Sequence, residues 1–132
     1  MRNKNDVCHI AIACSDLDLA INFYQNILGC ELARRKDDRV TFNFFGDQLV
    51  CHLSPNDVPK KLKPYPYHFG ITFSDIGSFQ SLRSKLIDKK VNLIQDSIRF
   101  QDKKDEHRTL FLSDPFNNVL EFKFYFDDKM KY

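Results

Sequence analysis

The chain has no tryptophan, four glycines and two methionines among its 132 residues, and no two cysteines stand at the C-x-x-C spacing. It also lacks any apolar run near the roughly 18 residues that a membrane-spanning helix requires. Its start, MRNKNDVCHI, is without the long apolar stretch of a signal peptide. These absences predict a cytoplasmic protein with no membrane partner. The net charge of only +2 gives no electrostatic reason for a nucleic-acid partner. Without close spacing, Cys8, Cys14, Cys30 and Cys51 exclude a zinc ribbon or a thioredoxin-like motif, and read instead as small buried hydrophobes in a reducing compartment. What is present is 13 phenylalanines in a composition that is 42% hydrophobic and 29% charged, which places the chain among ordinary globular domains with an aromatic-rich core. One domain of this length buries about two-thirds of the surface its unfolded chain exposes, so neither metal nor disulfide is needed for folding.

HIAIACSD, residues 9 to 16, returns as HFGITFSD, residues 68 to 75, with His, Ile, Ser and Asp at the same four places. Internal self-similarity of this kind reports one supersecondary unit used twice. In the first unit Val7 to Ala13 reads as a strand, and Ser15 with Asp18 has the spacing of a helix-capping pair. Leu17, Ala20, Ile21, Tyr24, Ile27 and Leu28 then recur at helical spacing, closed by Gly29. Strands follow at 30–35, 40–45 and 48–53, the last two separated by Gly46-Asp47. The order repeats as a strand at 67–73, a helix with Phe79, Leu82 and Leu86 on one face, and strands near 92–98, 108–113 and 118–126. Between the units, SPNDVPKKLKPYP breaks regular structure with its prolines. The predicted fold is α+β: two tandem βαβββ modules, residues 7–54 and 67–126, joined by a linker over 54–66. The charged stretch at 101–108 reads as a loop with a solvated His107.

Strand side chains alternate between faces. Cys8, Ile10 and Ile12 form one apolar face, which leaves His9 opposite; Phe69, Ile71 and Phe73 leave His68 opposite; Leu120, Phe122 and Phe124 leave Glu121 opposite. His52, with Gln48 and Val50, is the polar residue on the last strand of the first unit. Facing sheets would bring these groups to one concavity. A lone strand histidine is more often a hydrogen-bonded or surface residue than a ligand, and Glu121 alone reads as an exposed carboxylate. The joint pattern favours a metal, because two imidazoles and a carboxylate with open coordination positions form the facial triad of non-haem Fe(II) oxygenases, and related sets hold Mn, Ni or Zn.

With TFNFFGDQLVCHL at 41–53, PYPYHFGITF at 64–73, IRF at 98–100 and DPFNNVLEFK at 114–123, the chain resembles the vicinal oxygen chelate superfamily. That superfamily includes glyoxalase I, fosfomycin-resistance enzymes, bleomycin-binding proteins and type I extradiol dioxygenases. The motifs are similar to its small extradiol-dioxygenase-like subgroup. The resemblance implies a half-open curved barrel around a divalent metal, with His9, His68 and Glu121 as ligands. His52 stands where glyoxalase I places a ligand glutamate, which leaves it as a fourth ligand or an acid/base. A departure there counts against glyoxalase-type proton shuttling between paired carboxylates.

The expectation is therefore a metal-dependent, dioxygenase-like enzyme, Fe(II) favoured, acting on a small catechol-like or other vicinal-oxygen substrate. The alternatives are a glyoxalase-like isomerase or transferase, and a non-catalytic protein that sequesters a small ligand. Phe45, sharing the parity of Thr41 and Asn43, is the expected aromatic wall, and Arg99 the expected carboxylate anchor. Open sheet edges and a long linker predict a homodimer, with modules paired within a chain or exchanged between chains.

Overall fold

The structure is a computed structural model that describes all 132 residues, Met1–Tyr132. It divides into two compact units, Met1–Lys60 and Lys61–Tyr132. Each has the expected order of one strand, a helix and three strands, and each contains an open four-stranded mixed sheet that is not closed into a barrel. No helix is long and apolar enough to cross a membrane.

The first unit runs β1 (His9–Cys14), α1 (Leu17–Ile21) continued by a wider π-helical segment (Asn22–Ile27), β2 (Glu31–Arg35), β3 (Arg39–Phe44) and β4 (Asp47–Leu53). Its strand order is β1-β4-β3-β2, with β1 parallel to β4 and the other pairs antiparallel. The capping residue of α1 is Asp16, whose Oδ1 accepts from the Leu19 N–H at 2.9 Å, one residue later than the expected Ser15. In the π-helical segment the Leu28 N–H donates to the Phe23 carbonyl at 2.9 Å. That five-residue step brings Phe23, Tyr24 and Leu28 into the core while Ile27 is only half-buried, which a regular 3.6-residue period would not produce.

Phe45 departs from expectation because it is not in a strand. Phe44 pairs with Asp47, so Phe45 and Gly46 form a two-residue hairpin turn with φ of 53° and 98°. Turns of this type need positive φ at both central residues, and the Asn43 carboxamide oxygen supports this one by accepting from the Gly46 N–H at 2.8 Å. Strand parity therefore does not govern Phe45.

The second unit runs β5 (Phe69–Phe73), α2 (Ile76–Asp88), β6 (Leu93–Arg99), β7 (His107–Ser113) and β8 (Val119–Tyr125), ordered β5-β8-β7-β6. Asp75 caps α2, accepting from the Ser78 N–H at 2.8 Å and from its hydroxyl at 2.6 Å. The repeated Ser-Asp pair is thus explained by helix starts: Asp16 and Asp75 do the same job, and Ser15 and Ser74 precede it. Phe79, Leu82 and Leu86 are buried along α2 as their spacing predicts. Arg83 ties α2 to β6 through two bonds to Asp96 Oδ2, 2.7 Å from Nε and 2.6 Å from Nη2, and the first of these raises the guanidinium pKa further. The β7–β8 turn is fixed by buried Asp114, whose Oδ1 accepts from the N–H groups of Phe116 and Asn118.

His107 is the other departure. It is the first residue of β7 and only 5% exposed, packed against Tyr125 with ring centroids 4.7 Å apart. Its Nδ1 donates to the Asp105 carbonyl at 2.8 Å. Three of the four cysteines are buried as expected; Cys8 is exposed.

Candidate metal centre

In the second unit His68, one residue ahead of β5, and Glu121 on β8 are brought together, with His68 Nε2 3.1 Å from Glu121 Oε2. His68 Nδ1 is 2.8 Å from the Pro64 carbonyl oxygen, which can only accept. Nδ1 therefore carries a proton, and the lone-pair nitrogen of a neutral ring is Nε2. Two acceptors then face each other across 3.1 Å, an arrangement that a cation or an added proton satisfies. Tyr65 and Phe111 meet the His68 ring edge-on, at centroid distances of 5.6 and 5.2 Å, and restrict its rotation.

Glu121 is 6% exposed, not the exposed strand carboxylate of the bland expectation. Thr109 donates its hydroxyl to Oε1 at 2.7 Å, and the Lys123 ammonium lies 3.2 Å from Oε2. Gly70 pairs with Glu121 across the strands. A Cβ on Gly70 would lie 1.7 Å from the Glu121 carbonyl oxygen, so only glycine permits this approach. A cleft of about 230 Å³ opens here, with His68, Gly70, Thr72, Glu121 and Lys123 in its walls.

In the first unit His9 pairs with Gln48 on β4, and its Nδ1 lies 2.5 Å from Gln48 Oε1. With the carboxamide oxygen as acceptor, the lone pair of His9 again falls on Nε2. A cleft of about 200 Å³ on this unit is walled by Val7, Arg34, Thr41, Asn43 and Gln48, among others, and not by Phe45. Phe45 instead borders a separate hollow of about 290 Å³ with Gly29, Cys30 and Glu31.

Register corrects the expected equivalence of His52 and Glu121. Glu121 pairs with Gly70, two residues after His68; the residue that pairs with Ala11, two residues after His9, is Val50. His52 pairs with Ala13 and corresponds to Lys123, which pairs with Thr72. His52 thus sits two residues, about 6.6 Å, along the strand from the position equivalent to Glu121. Arg99, at the end of β6, is half-buried and donates Nη1–H to Tyr65 Oη at 2.6 Å, with its guanidinium 5.3 Å from the Phe100 ring.

Neither unit by itself gathers three His, Cys, Asp or Glu side chains in an arrangement that could hold a metal. The donor chemistry nonetheless fits a divalent ion. Both repeat histidines commit Nδ1 to a carbonyl-type oxygen, the usual support of a ligating imidazole, and Glu121 Oε1 is held by Thr109 while Oε2 faces Nε2. The residues that sequence reasoning left without a role are Gln48, Pro64, Thr109 and Lys123. Gln48 and Lys123 were visible by parity, whereas a backbone carbonyl leaves no mark in a sequence.

The chain matches the model of the Glyoxalase/Bleomycin resistance protein/Dioxygenase superfamily over residues 7–122. Metallothiol transferase FosB of Lysinibacillus sphaericus (strain C3-41) is 30% identical over 115 residues, which are 86% of this chain and 78% of that protein. The crystal structure of a glyoxalase/bleomycin resistance protein/dioxygenase from Alicyclobacillus acidocaldarius is 52% identical, with both chains covered in full and a TM-score of 0.94. Fosfomycin resistance protein FosX from Listeria monocytogenes shares the fold, with a TM-score of 0.74 at 15% identity over 95% of this chain and 97% of that one. Matched in sequence over most of its length and in structure over all of it, this chain belongs to the glyoxalase/bleomycin resistance protein/dioxygenase superfamily.

Proposed function

We propose that this protein is a divalent-metal-dependent enzyme in which His9, His68 and Glu121 are the metal ligands and a small substrate is held through neighbouring oxygens. The observation that carries the reading is the shared support of the two repeat histidines, each with Nδ1 spent on a carbonyl-type oxygen, together with Glu121 Oε2 beside His68 Nε2. When bound, the metal supplies Lewis-acid polarisation of a substrate oxygen. The chain's own residues do the rest. Gln48 and Pro64 fix the two ring orientations, Thr109 holds one carboxylate oxygen, and Tyr65 and Phe111 wall one side of His68.

Group transfer to a metal-chelated electrophile is the reaction type favoured. Val50 occupies the position equivalent to Glu121, so the first unit offers no second carboxylate for the proton shuttling of an isomerase. A curated relative at 30% identity is a metallothiol transferase. His52, two residues beyond Val50, acts in this reading as an acid/base and not as a ligand, a role that suits an imidazole near neutral pH. Ring cleavage with Fe(II) and O2 is the second reading, favoured by the two-histidine, one-carboxylate donor set. Arg99, engaged by Tyr65, serves to position that ring at the edge of the site, and Phe45 has no part in it.

The donor set also implies that units combine, within one chain or between two copies of a homodimer. Protein purified without chelators should take up one divalent ion per chain in calorimetric titration with Mn, Fe, Ni or Zn. His9→Ala and Glu121→Gln should each abolish that uptake. Unfolding the two variants together and refolding the mixture should restore part of it if units are exchanged between chains, and none if each chain combines its own. Retained metal in either single variant removes that residue from the ligand set. With the metal identified, thiol consumption against an electrophile panel that includes fosfomycin, and O2 uptake with catechols under Fe(II), separate the two reactions.

A further inference from the structure

Phe45 walls a hollow of its own, apart from the metal centre. The β3–β4 turn leaves its ring 40% exposed at the hairpin tip, perpendicular to the buried ring of Phe44 with centroids 5.0 Å apart. The hollow, of about 290 Å³, lies within the first unit and continues over Glu31, Asn43 and the chain at Gly29 and Cys30. Its wall is electronegative. Glu31 and Asn43 pair across β2 and β3, so their side chains stand side by side on one face. Glu31 is exposed, and no lysine, arginine or histidine lines the hollow to neutralise it. Asn43 Oδ1 accepts one bond, from the Gly46 N–H, and keeps a second lone pair. Gly29 and Cys30 follow the helical segment Asn22–Ile27, whose last turn holds no basic residue. The N–H groups of Leu28, Gly29 and Cys30 take the carbonyls of Phe23, Gln25 and Tyr24, and the later carbonyls end the helix at its negative pole.

We propose that this hollow binds a primary alkylammonium group. The Glu31 carboxylate and the carbonyls at the helix end accept its N–H bonds, and the Phe45 ring covers the adjoining methylenes and attracts the charge. A single ring among several acceptors suits an ammonium that donates hydrogen bonds better than a quaternary one, which has none to give and needs an aromatic cage. The volume, near the roughly 300 Å³ at which ligand pockets begin, fits a chain of a few carbons. Such a chain is carried by a free amine or by a lysine side chain of another protein. None of His9, His68 and Glu121 lines the hollow, so this site is independent of the metal reading.

The test is titration of the full-length, isotope-labelled protein followed through its amide NMR spectrum, with n-butylammonium as the probe and n-butanol and tetramethylammonium as controls. n-Butylammonium should give saturable shifts centred on Gly29, Glu31 and Gly46. Neutral n-butanol should bind about fivefold or more weakly, and so should tetramethylammonium, which has no N–H to donate. Glu31→Gln, on the exposed edge strand, should weaken n-butylammonium by about fivefold, and Phe45→Leu by about threefold, the range of an exposed cation–π contact. Nα-acetyl-lysine methylamide distinguishes the sources: affinity equal to that of n-butylammonium assigns the site to a lysine side chain, and affinity about fivefold lower assigns it to a free amine. Equal binding of n-butanol would show a merely apolar hollow, and equal binding of tetramethylammonium would show that the acceptors take no part. Either overturns the proposal, as do shifts centred on other residues or a Glu31→Gln variant that binds n-butylammonium within about twofold of the parent.

Discussion

In the first unit His9 is oriented by a side chain, Gln48 on the neighbouring strand, whereas in the second His68 is oriented by the backbone carbonyl of Pro64 and packed on one side against two aromatic rings. The exposed His9 depends on one replaceable carboxamide, and the more buried His68 on the chain path itself. The same two-residue step after each histidine leads to Ala11 opposite Val50 in one unit and to Gly70 opposite Glu121 in the other. One copy has kept an apolar position where the other holds a carboxylate with three polar contacts. A duplicated plan thus tolerates divergence where side chains meet the cleft and repeats itself where backbone must turn, at Asp16 and Asp75.

The largest effect should come from breaking the asymmetry at its charged end. Glu121→Gln is close to isosteric and keeps a partner for Thr109, yet it should lower divalent-metal affinity by more than about 100-fold, beyond the 10–100-fold cost typical of outer-shell changes. Val50→Thr, the matched change in the first unit, should leave that affinity unaltered. Titration of both variants against one metal decides it; equal losses would mean that the register equivalence has no bearing on ligation. Alanine is the wrong probe at 121, because burial and three contacts make Glu121 part of the packing as well as the site.

Next in size is the close approach behind the carboxylate. Gly70→Ala places a methyl 1.7 Å from the Glu121 carbonyl oxygen, and β5 and β8 must separate to admit it, at a cost on the order of 1–3 kcal/mol. Its counterpart already carries a methyl in Ala11, so Ala11→Gly should cost less, about 0.5–1 kcal/mol from backbone entropy. Denaturant unfolding of the pair measures the difference, and the reverse ranking would show that the strands are not held as close in solution.

A smaller effect belongs to the orienting carboxamide. Gln48→Leu removes the acceptor of His9 Nδ1 without a large change in volume, and metal affinity should fall by about tenfold, about 1.4 kcal/mol. Pro64 offers no equivalent change, since its contribution is a backbone oxygen. Unchanged affinity in Gln48→Leu would show that His9 is held by something other than β4.

The strands of both units were legible because half-buried sheet residues alternate, and the repeat located His9 and His68 before any geometry was known. Correspondence between units was not legible beyond β1 and β5. Equating His52 with Glu121 follows from both being the polar residue of a last strand, but pairing is set by where each hairpin turns. The β3–β4 turn falls at Phe45-Gly46, one residue earlier than Gly46-Asp47 suggests, and the Asp114 turn sets β8 independently. His107 was hidden by the charges before it; its alternation with Thr109 and Phe111, all buried, was the available signal. The π-helical widening at 22–27 left no trace in spacing, because Phe23, Tyr24, Ile27 and Leu28 all fit one regular helix face with Ala20, whereas in the widened segment Ile27 is only half-buried.

The smallest expected effect lies at the two helix caps, where the units most resemble each other. Asp16→Ala should cost about 1 kcal/mol, the usual worth of an N-cap carboxylate. Asp75 adds a bond from the Ser78 hydroxyl, and that bond, with the one from the Ser78 N–H, holds its carboxyl below the ordinary carboxylate pKa. A carboxyl whose pKa is lower folded than unfolded contributes stability that is fully present above the unfolded value, near 3.9, and is lost as pH falls through the folded one. The parent should therefore lose stability on acidification from about pH 5 downward. Asp75→Asn keeps an acceptor for the Ser78 N–H but has no proton to bind, so part of that acid-dependent loss should disappear while stability at pH 7 falls. Melting temperatures of the parent and Asp75→Asn between about pH 3 and pH 7 measure the difference. Parallel curves over that range would mean that the Ser78 hydroxyl bond does not persist in solution, and that the two caps are as alike in energy as they are in sequence.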